Sequence, residues 1–150
     1  MADVFDVANW FLSKASMTPK KLQKLCYYFK AWGLALTDED LLPGVEFQAW
    51  IHGPVHLPLY AKYRDYYWNF IPKSEDNSDK FSERELDLLN SVWDTYGELS
   101  ANELEAQTHL EAPWRKARGD IDEFEKCTTT IDNEDMKNYY RERYNRNQGE

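Results

Sequence analysis

Between Val4 and Leu36 the apolar residues recur every three or four positions, which is the spacing of one face of an α-helix. Asp3 is a suitable N-cap for a first series, which consists of Val4, Val7, Ala8, Phe11, Leu12 and Ala15. Thr18 and Pro19 suit the cap and the first position of a second helix, because proline has no N–H to leave unpaired there. Its inward positions are Leu22, Leu25, Cys26, Phe29, Gly33 and Leu36. The sequence therefore predicts two N-terminal helices, each with one buried face.

A period of two replaces the helical period after the second helix. The apolar side chains of one series alternate with a more polar series: Val45, Phe47, Ala49 and Ile51 against Glu46, Gln48, Trp50 and His52. This alternation is typical of a β-strand, and Gly53-Pro54 is predicted to end it. We expect the strand either to lie beside a short extended piece near residues 128–131 or to form an extended connection outside any sheet.

Helix signals return in the second half of the chain. Pro58 suits the start of a third helix, whose packed side is predicted to carry Leu59, Tyr60, Tyr63 and Tyr67. Ser82-x-x-Glu85 and Ser100-x-x-Glu103 are capping boxes that predict the starts of two further helices. Pro113 ends or restarts the second of these, and Asp132 can cap a last helix. The sequence predicts a mostly α-helical single domain over residues 1–150, with six or seven helices and one or two short strands.

Composition limits the class of protein. A chain of 150 residues with 42% hydrophobic content is long enough for one domain with a core and short for two. Its N-terminus lacks the basic and apolar segments of a signal peptide, and its longest uncharged run, residues 47–61, contains two prolines. We therefore expect a cytoplasmic protein with no membrane partner. Cys26 and Cys127 are isolated in the sequence and are predicted to be buried thiols.

The charge distribution bears on the partner. A formal net charge of -9 argues against direct binding of duplex DNA, which requires a basic face. Residues 94–112 contain five acidic residues and no lysine or arginine: Asp94, Glu98, Glu103, Glu105 and Glu111. This stretch is either a solvated helical face or a surface complementary to a basic partner. Lys20, Lys21 and Lys24 are predicted to form a solvated flank of the second helix.

The sequence gives little support for catalysis. His52 and His56 are separated by Gly53-Pro54, which prevents the continuous helix that would place both on one face as metal ligands. The chain contains no G-x-S-x-G motif, no phosphate-binding glycine loop and no cysteine–histidine pair in a recognisable arrangement. We expect no catalytic residues, no metal site, no cofactor and no enzyme activity.

Three motifs in fixed order resemble one family. They are T-P-K-K-L-Q-K-L-C-Y-Y at residues 18–28, W-I-H-G-P-V at residues 50–55 and T-H-L-E-A-P-W at residues 108–114. Together they resemble the Panacea, or SocA-like, antitoxin domain, once catalogued as a phage-associated domain of unknown function. The resemblance implies neutralisation of a protein toxin encoded beside the antitoxin. Some members act by direct binding, and the founding type is an adaptor that delivers its toxin to a Clp-type protease. A more general phage-related protein-interaction module is a further alternative.

The motif positions supply a hypothesis about the contact surface. Tryptophan, glycine and proline at these positions can serve the fold alone, through buried area and a fixed turn. They can also line a groove in which a toxin segment docks, because aromatic side chains with one polar group are common binding anchors. The predicted partner-binding residues are Trp50, His52, His109, Glu111 and Trp114, with Glu103 and Glu105 on the acidic face. In an adaptor the same surface would hold the toxin while another surface engages the protease.

Overall fold

The long helix α2 lies at the centre of the fold, and most other elements pack against it. The computed structural model describes residues 2–148, and within them the chain forms seven α-helices, two short 3-10 helices and a two-stranded sheet. The elements in chain order are α1 (Val4–Lys14), α2 (Pro19–Thr37), β1 (Gln48–Trp50), β2 (Gly53–Val55), α3 (Leu57–Tyr63), the 3-10 helices Arg64–Tyr66 and Ser78–Lys80, α4 (Glu83–Tyr96), α5 (Ala101–His109), α6 (Ala112–Arg118) and α7 (Asn133–Gln148). The predicted mostly α-helical fold is confirmed.

Both predicted capping boxes are present. Glu85 N donates to Ser82 Oγ at 3.2 Å, and Ser82 N donates to Glu85 Oε1 at 2.8 Å. The same reciprocal pair joins Ser100 and Glu103 at 2.9 and 3.1 Å. Each box satisfies two N–H groups that a helix start leaves without intrahelical partners. The starts of α4 and α5 therefore follow from local chemistry alone.

Helix α2 is buried on more than one side, in contrast to the single buried face that the sequence predicts. Leu36, predicted to face inward, is 45% exposed, whereas Lys24 and Lys30 are each 1% exposed. The prediction that Lys24 belongs to a solvated flank is therefore wrong. The physical reason is tertiary: α7, α4, α5, α1 and the sheet pack around α2 and leave it no broad solvated face.

The sheet is a hairpin, which the sequence analysis predicted only in part. Gly53-Pro54 was expected to end the strand, but the chain turns at residues 51–52 and Gly53–Val55 returns as the second strand. Pro54 lies opposite Ala49, whose carbonyl accepts from Arg118 Nη1 at 2.8 Å and whose N–H donates to the carbonyl of Thr129 at 2.9 Å, so neither group points to β2. A proline without an N–H therefore costs this sheet no hydrogen bond. The same contact confirms that an extended piece near residues 128–131 lies beside the first strand.

The interior is rich in aromatic side chains. Tyr28 stacks on Tyr96 with ring centroids 3.9 Å apart, and Tyr27 and Tyr140 lie edge-on within the same cluster. Cys26 and Cys127 are buried free thiols, as predicted. No helix among residues 2–148 is long and apolar enough to cross a membrane.

Candidate functional site

Residues from the three sequence motifs meet where α2, the hairpin and α5 come together. Lys24 Nζ donates to the backbone carbonyl of Pro54 at 3.2 Å. Gly53 has a φ of 107°, and a Cβ at this position would lie 2.6 Å from Lys24 Cε and 3.0 Å from Thr108 Oγ1. Glycine is therefore required here both by its backbone conformation and by the lack of space. We call Lys24, Gly53, Pro54 and Thr108 the motif junction.

Trp114 and His109 fasten the hairpin to the connection between α5 and α6. Trp114 Nε1 donates to the Trp50 carbonyl at 2.8 Å, and the Trp114 ring stacks on His109 with centroids 4.0 Å apart. Trp114 is buried and His109 is half-buried, and burial lowers the pKa of His109. Nε2 of His109 is buried without a hydrogen-bond partner among residues 2–148. Trp114, with His109 stacked on it, thus holds the hairpin against the connection between α5 and α6.

Glu111 is the centre of a buried polar cluster. Its carboxylate is 1% exposed and accepts hydrogen bonds from four side chains: Tyr28 at 2.8 Å, Tyr140 at 2.7 Å, Arg143 at 2.9 Å and Gln107 at 3.1 Å. Burial raises the pKa of Glu111, and these four partners oppose that shift. The expectation that Glu111 faces a partner does not agree with this burial. Its role in the structure is to join α2, α5 and α7.

The exposed rim of the junction carries the other predicted polar residues. Glu105 Oε1 pairs with Lys20 Nζ and lies 2.9 Å from Nδ1 of the exposed His52. Burial raises the pKa of Glu105, but Lys20 and His52 outweigh it and the net shift is downward. Glu103 is exposed, and its side chain is used in the capping box of α5. The structure thus brings Trp50, His52, Glu105, His109 and Trp114 together around the hairpin and leaves Glu103 at its edge.

A groove opens beside Lys24, between α2, the hairpin and α3. It has a volume of about 250 Å³, and its lining includes Lys20, Lys24, Trp50, His52, Tyr60 and Arg64. Burial lowers the pKa of Lys24 to about 7; repulsion from Lys20 adds to this shift and attraction to Glu105 opposes it. We call this cavity the Lys24 groove.

A run of exposed aromatic residues, not predicted from the sequence, borders the groove. We call residues 66–70 the aromatic strip; within it Tyr67, Trp68 and Phe70 are 68%, 84% and 64% exposed. The prediction that Tyr67 packs on the inner side of α3 is wrong, because α3 ends at Tyr63 and Tyr67 adopts a φ of 55° that turns the chain. The available signal was composition: D-Y-Y-W-N-F has four aromatics in six residues without a helical period.

Tyr67 connects two cavities on this side of the molecule. It lines the Lys24 groove and also a neighbouring cavity of about 580 Å³, which Trp68 and Phe70 line as well. Lys20 is likewise shared by both cavities. The strip and the groove therefore form one continuous surface.

The motifs and their convergence agree with a family comparison. The family model described as "Antitoxin SocA-like, Panacea domain" matches residues 22–115, which is more than half of the chain. This chain belongs to the SocA-like antitoxin family. Comparison with curated proteins and with solved structures gives no match. The region matched to the Panacea domain contains the Lys24–Gly53–Thr108 contact and the aromatic strip.

Two elements outside the Panacea match complete its interior. Helix α1 packs on α2 and α4, and α7 packs on α2 and α6. Tyr140 and Arg143 of α7 supply two of the four hydrogen bonds to Glu111. The buried carboxylate of Glu111 lies within the Panacea match, but two of its four hydrogen bonds come from α7, which lies beyond residue 115.

The acidic stretch of this antitoxin-family chain is divided by the fold. Glu111 is buried and Glu105 is half-buried in its pair with Lys20, so the exposed acidic residues of the stretch are Asp94, Glu98 and Glu103. Among residues 2–148 no group of three or more histidine, cysteine, aspartate or glutamate side chains is placed to hold a metal ion.

Proposed function

We propose that this protein is the antitoxin of a toxin–antitoxin pair and neutralises a cognate protein toxin, encoded adjacently, by binding it directly. The observation that carries the proposal is the exposure of Tyr67, Trp68 and Phe70 beside the motif junction in a chain of the SocA-like antitoxin family. Large aromatic side chains left in water are a cost to a monomer, and contiguous exposed patches of this kind mark protein contact sites.

The arrangement of the surface supports a protein partner. Tryptophan and tyrosine are common hot-spot residues because they bury a large area while losing few rotatable bonds. Lys20, His52 and Glu105 form a polar rim next to the strip. The rim meets the strip at Lys20, which lines the same cavity as Trp68 and Phe70. An apolar centre with a charged edge is the usual anatomy of a protein interface.

We further propose that neutralisation is stoichiometric and involves neither catalysis nor a cofactor. The two carboxylates near the junction are occupied by structural contacts: Glu105 with Lys20 and His52, and Glu111 with its four partners. With a net charge of -9, direct binding of duplex DNA is not part of the proposal.

The test is a growth assay in which the adjacent open reading frame is induced with and without this protein, followed by co-purification of the pair. We expect rescue and a stable complex with wild type, and loss of both with Trp68→Ala, because truncating an aromatic anchor typically weakens binding by about tenfold or more. Phe124→Ala is the matched control, since Phe124 is 78% exposed but lies between α6 and α7. Equal rescue by Trp68→Ala and wild type would contradict the proposed surface, and a harmless neighbour would contradict the antitoxin role.

The alternative mechanism is a proteolytic adaptor that delivers the toxin to a Clp-type protease. An adaptor needs a second contact surface, and a cavity of about 710 Å³ lined by the exposed Leu110 and Ile121 lies between α5, α6 and the following loop. Repeating the growth assay in cells that lack the protease separates the mechanisms. Rescue that persists there supports direct binding, whereas rescue that disappears supports the adaptor.

A further inference from the structure

We propose that the Lys24 groove binds a carboxylate of the partner toxin, carried by an acidic side chain that is flanked by apolar residues. This inference rests on the proposed function and specifies the chemistry of the toxin segment at one place. The buried amine of Lys24 is the anchor, and the aromatic walls of the groove receive the flanking side chains.

The charges of the groove favour an anionic occupant. The charged residues that line the groove, Lys20, Lys24 and Arg64, are all basic. The chain as a whole carries a net charge of -9, so a cationic cavity here is opposite in sign to the rest of the protein. An anionic occupant is complementary to such a site.

Lys24 has fewer hydrogen-bond partners than its ammonium group can use. An ammonium group has three donors, and the hydrogen bond of Lys24 within residues 2–148 goes to the Pro54 carbonyl alone. The nearby carboxylate of Glu105 is paired with Lys20 and His52. A buried cation without a carboxylate partner is costly, and a carboxylate from outside would relieve that cost.

Lys30, on the same helix, is a buried lysine whose contacts all lie within the protein. Lys30 is also 1% exposed, but its Nζ donates to both carboxylate oxygens of Asp40, at 3.0 and 2.9 Å, and to the Leu42 carbonyl at 3.3 Å. All three of its donors are thus used inside the protein. A cavity of about 280 Å³ borders Lys30 as well, but its lining includes the carboxylates of Asp40, Glu46 and Asp132, whereas the charged lining of the Lys24 groove is basic. Lys24 therefore differs from Lys30 in its partners and in the charge of the cavity beside it, while burial and helix are the same.

The walls and size of the groove favour a protein segment over a small molecule. Trp50 and Tyr60 pack with ring centroids 5.0 Å apart, and Val55 and Tyr67 complete an apolar lining. A volume of about 250 Å³ is below the roughly 300–1,000 Å³ that small-molecule sites occupy. It suits one or two side chains of a larger partner whose remaining contacts lie on the aromatic strip.

The proposal predicts that the affinity for the toxin depends on pH. Burial lowers the pKa of Lys24 to about 7. The charged or titratable groups around it are Lys20 on α2, Glu105 and His109 on α5, His52 in the hairpin turn and Arg64 after α3. A bound carboxylate favours the charged amine, so binding near neutral pH takes up a proton. Affinity should therefore fall as the pH rises from about 7 to 9.

The decisive experiment is titration calorimetry of the purified neighbouring-gene toxin into wild type and Lys24→Met. Removing one partner of a buried charge pair typically weakens binding by more than about tenfold, and we expect that loss together with loss of the pH dependence. Lys62→Met, an exposed lysine on α3, is the matched control and should bind like wild type. If Lys24→Met does not fold, Arg64→Gln tests the exposed edge of the groove, with a smaller loss of affinity expected.

The second arm identifies the carboxylate. Aspartate and glutamate residues of the toxin are changed to asparagine and glutamine, and each change is combined with Lys24→Met in a double-mutant cycle; one acidic residue should couple to Lys24. Equal binding by Lys24→Met and wild type, or the absence of any coupled acidic residue, would overturn the inference while leaving the antitoxin role intact. Lys24-dependent binding of ATP to the free protein would overturn it in favour of a nucleotide site. A toxin that does not bind wild type would remove both proposals.

Discussion

Lys24 and Glu111 are both charged residues, both 1% exposed, and both belong to the motifs that converge at the hairpin. Their surroundings differ. Glu111 accepts four hydrogen bonds in a closed cluster, whereas Lys24 donates one, to a carbonyl at 3.2 Å, and borders an open groove. A fully satisfied buried charge fixes the fold, and a poorly satisfied one beside a cavity is poised for a partner. Burial alone therefore does not distinguish these two residues; the number of hydrogen-bond partners does.

The largest expected effect is at Glu111. Glu111→Ala removes the acceptor of Tyr28, Tyr140, Gln107 and Arg143 and leaves their donors unpaired, so we expect the free energy of unfolding to fall by about 3–5 kcal/mol. Urea denaturation at pH 7 measures it. Glu98→Ala, an exposed glutamate between α4 and α5, should change stability by less than about 0.5 kcal/mol. A loss below about 1 kcal/mol for Glu111→Ala would mean that the cluster does not hold α7 to α2.

The next effect concerns the packing of Gly53 on Lys24. Gly53→Ala places a Cβ 2.6 Å from Lys24 Cε at a φ of 107°, and we expect a loss of about 2–4 kcal/mol from strain and contact together. Gly44→Ala separates the two causes, because Gly44 has a φ of 81° but nothing within 4 Å of its Cβ position. Its loss should be about 1–2 kcal/mol, from backbone strain alone.

The contact contribution can then be isolated. Lys24→Ala removes Cε and Nζ of Lys24, which include the nearest atom to the new Cβ, and leaves Thr108 Oγ1, so Gly53→Ala should cost less in a Lys24→Ala background than in wild type. Thermal unfolding of the four proteins gives the coupling. Equal costs in both backgrounds would show that Lys24 moves aside freely and does not fill the space over Gly53.

Lys24 and Glu111 also show how much the sequence could predict. Helix starts depend on neighbours three residues apart, as in Ser82–Glu85 and Ser100–Glu103, and they were predicted correctly. The surroundings of Lys24 depend on residue 54, and those of Glu111 on residues 28, 140 and 143. Hydrophobic periodicity contains no information about such distant pairs, so Lys24 was predicted to be solvated and Glu111 to face a partner.

The aromatic strip was missed for a related reason. A tyrosine spaced four residues after Tyr63 fits a helical face, but α3 ends at Tyr63 and the positive φ of Tyr67 turns the chain. Tyrosine seldom adopts that backbone conformation, so sequence reasoning favours the helix. The motifs themselves did indicate which segments meet, because Trp50, His52, His109 and Trp114 lie together around the hairpin.

A smaller effect is the pH dependence of stability that Lys24 contributes. Its folded pKa is lowered to about 7, whereas an unfolded lysine titrates near about 10.4. Between these values the unfolded state binds more protons, so stability rises with pH. We expect wild type to gain about 1–3 kcal/mol from pH 7 to pH 9 relative to Lys24→Met. Urea denaturation at both pH values measures the difference; Lys62→Met should behave like wild type, and an equal response in Lys24→Met would refute the assignment.

The smallest effect on stability is expected at Lys20, a partly exposed lysine on the same helix as the buried Lys24. Lys20 is partly exposed in its pair with Glu105, so Lys20→Met should cost less than about 1 kcal/mol. The same change should raise the pKa of Lys24, because it removes the repulsion from Lys20 and frees Glu105 to attract the buried amine. Titration of the Lys24 ammonium by NMR measures this directly. An unchanged or lower pKa would show that desolvation alone sets the protonation of Lys24, and that the charged rim does not tune the groove.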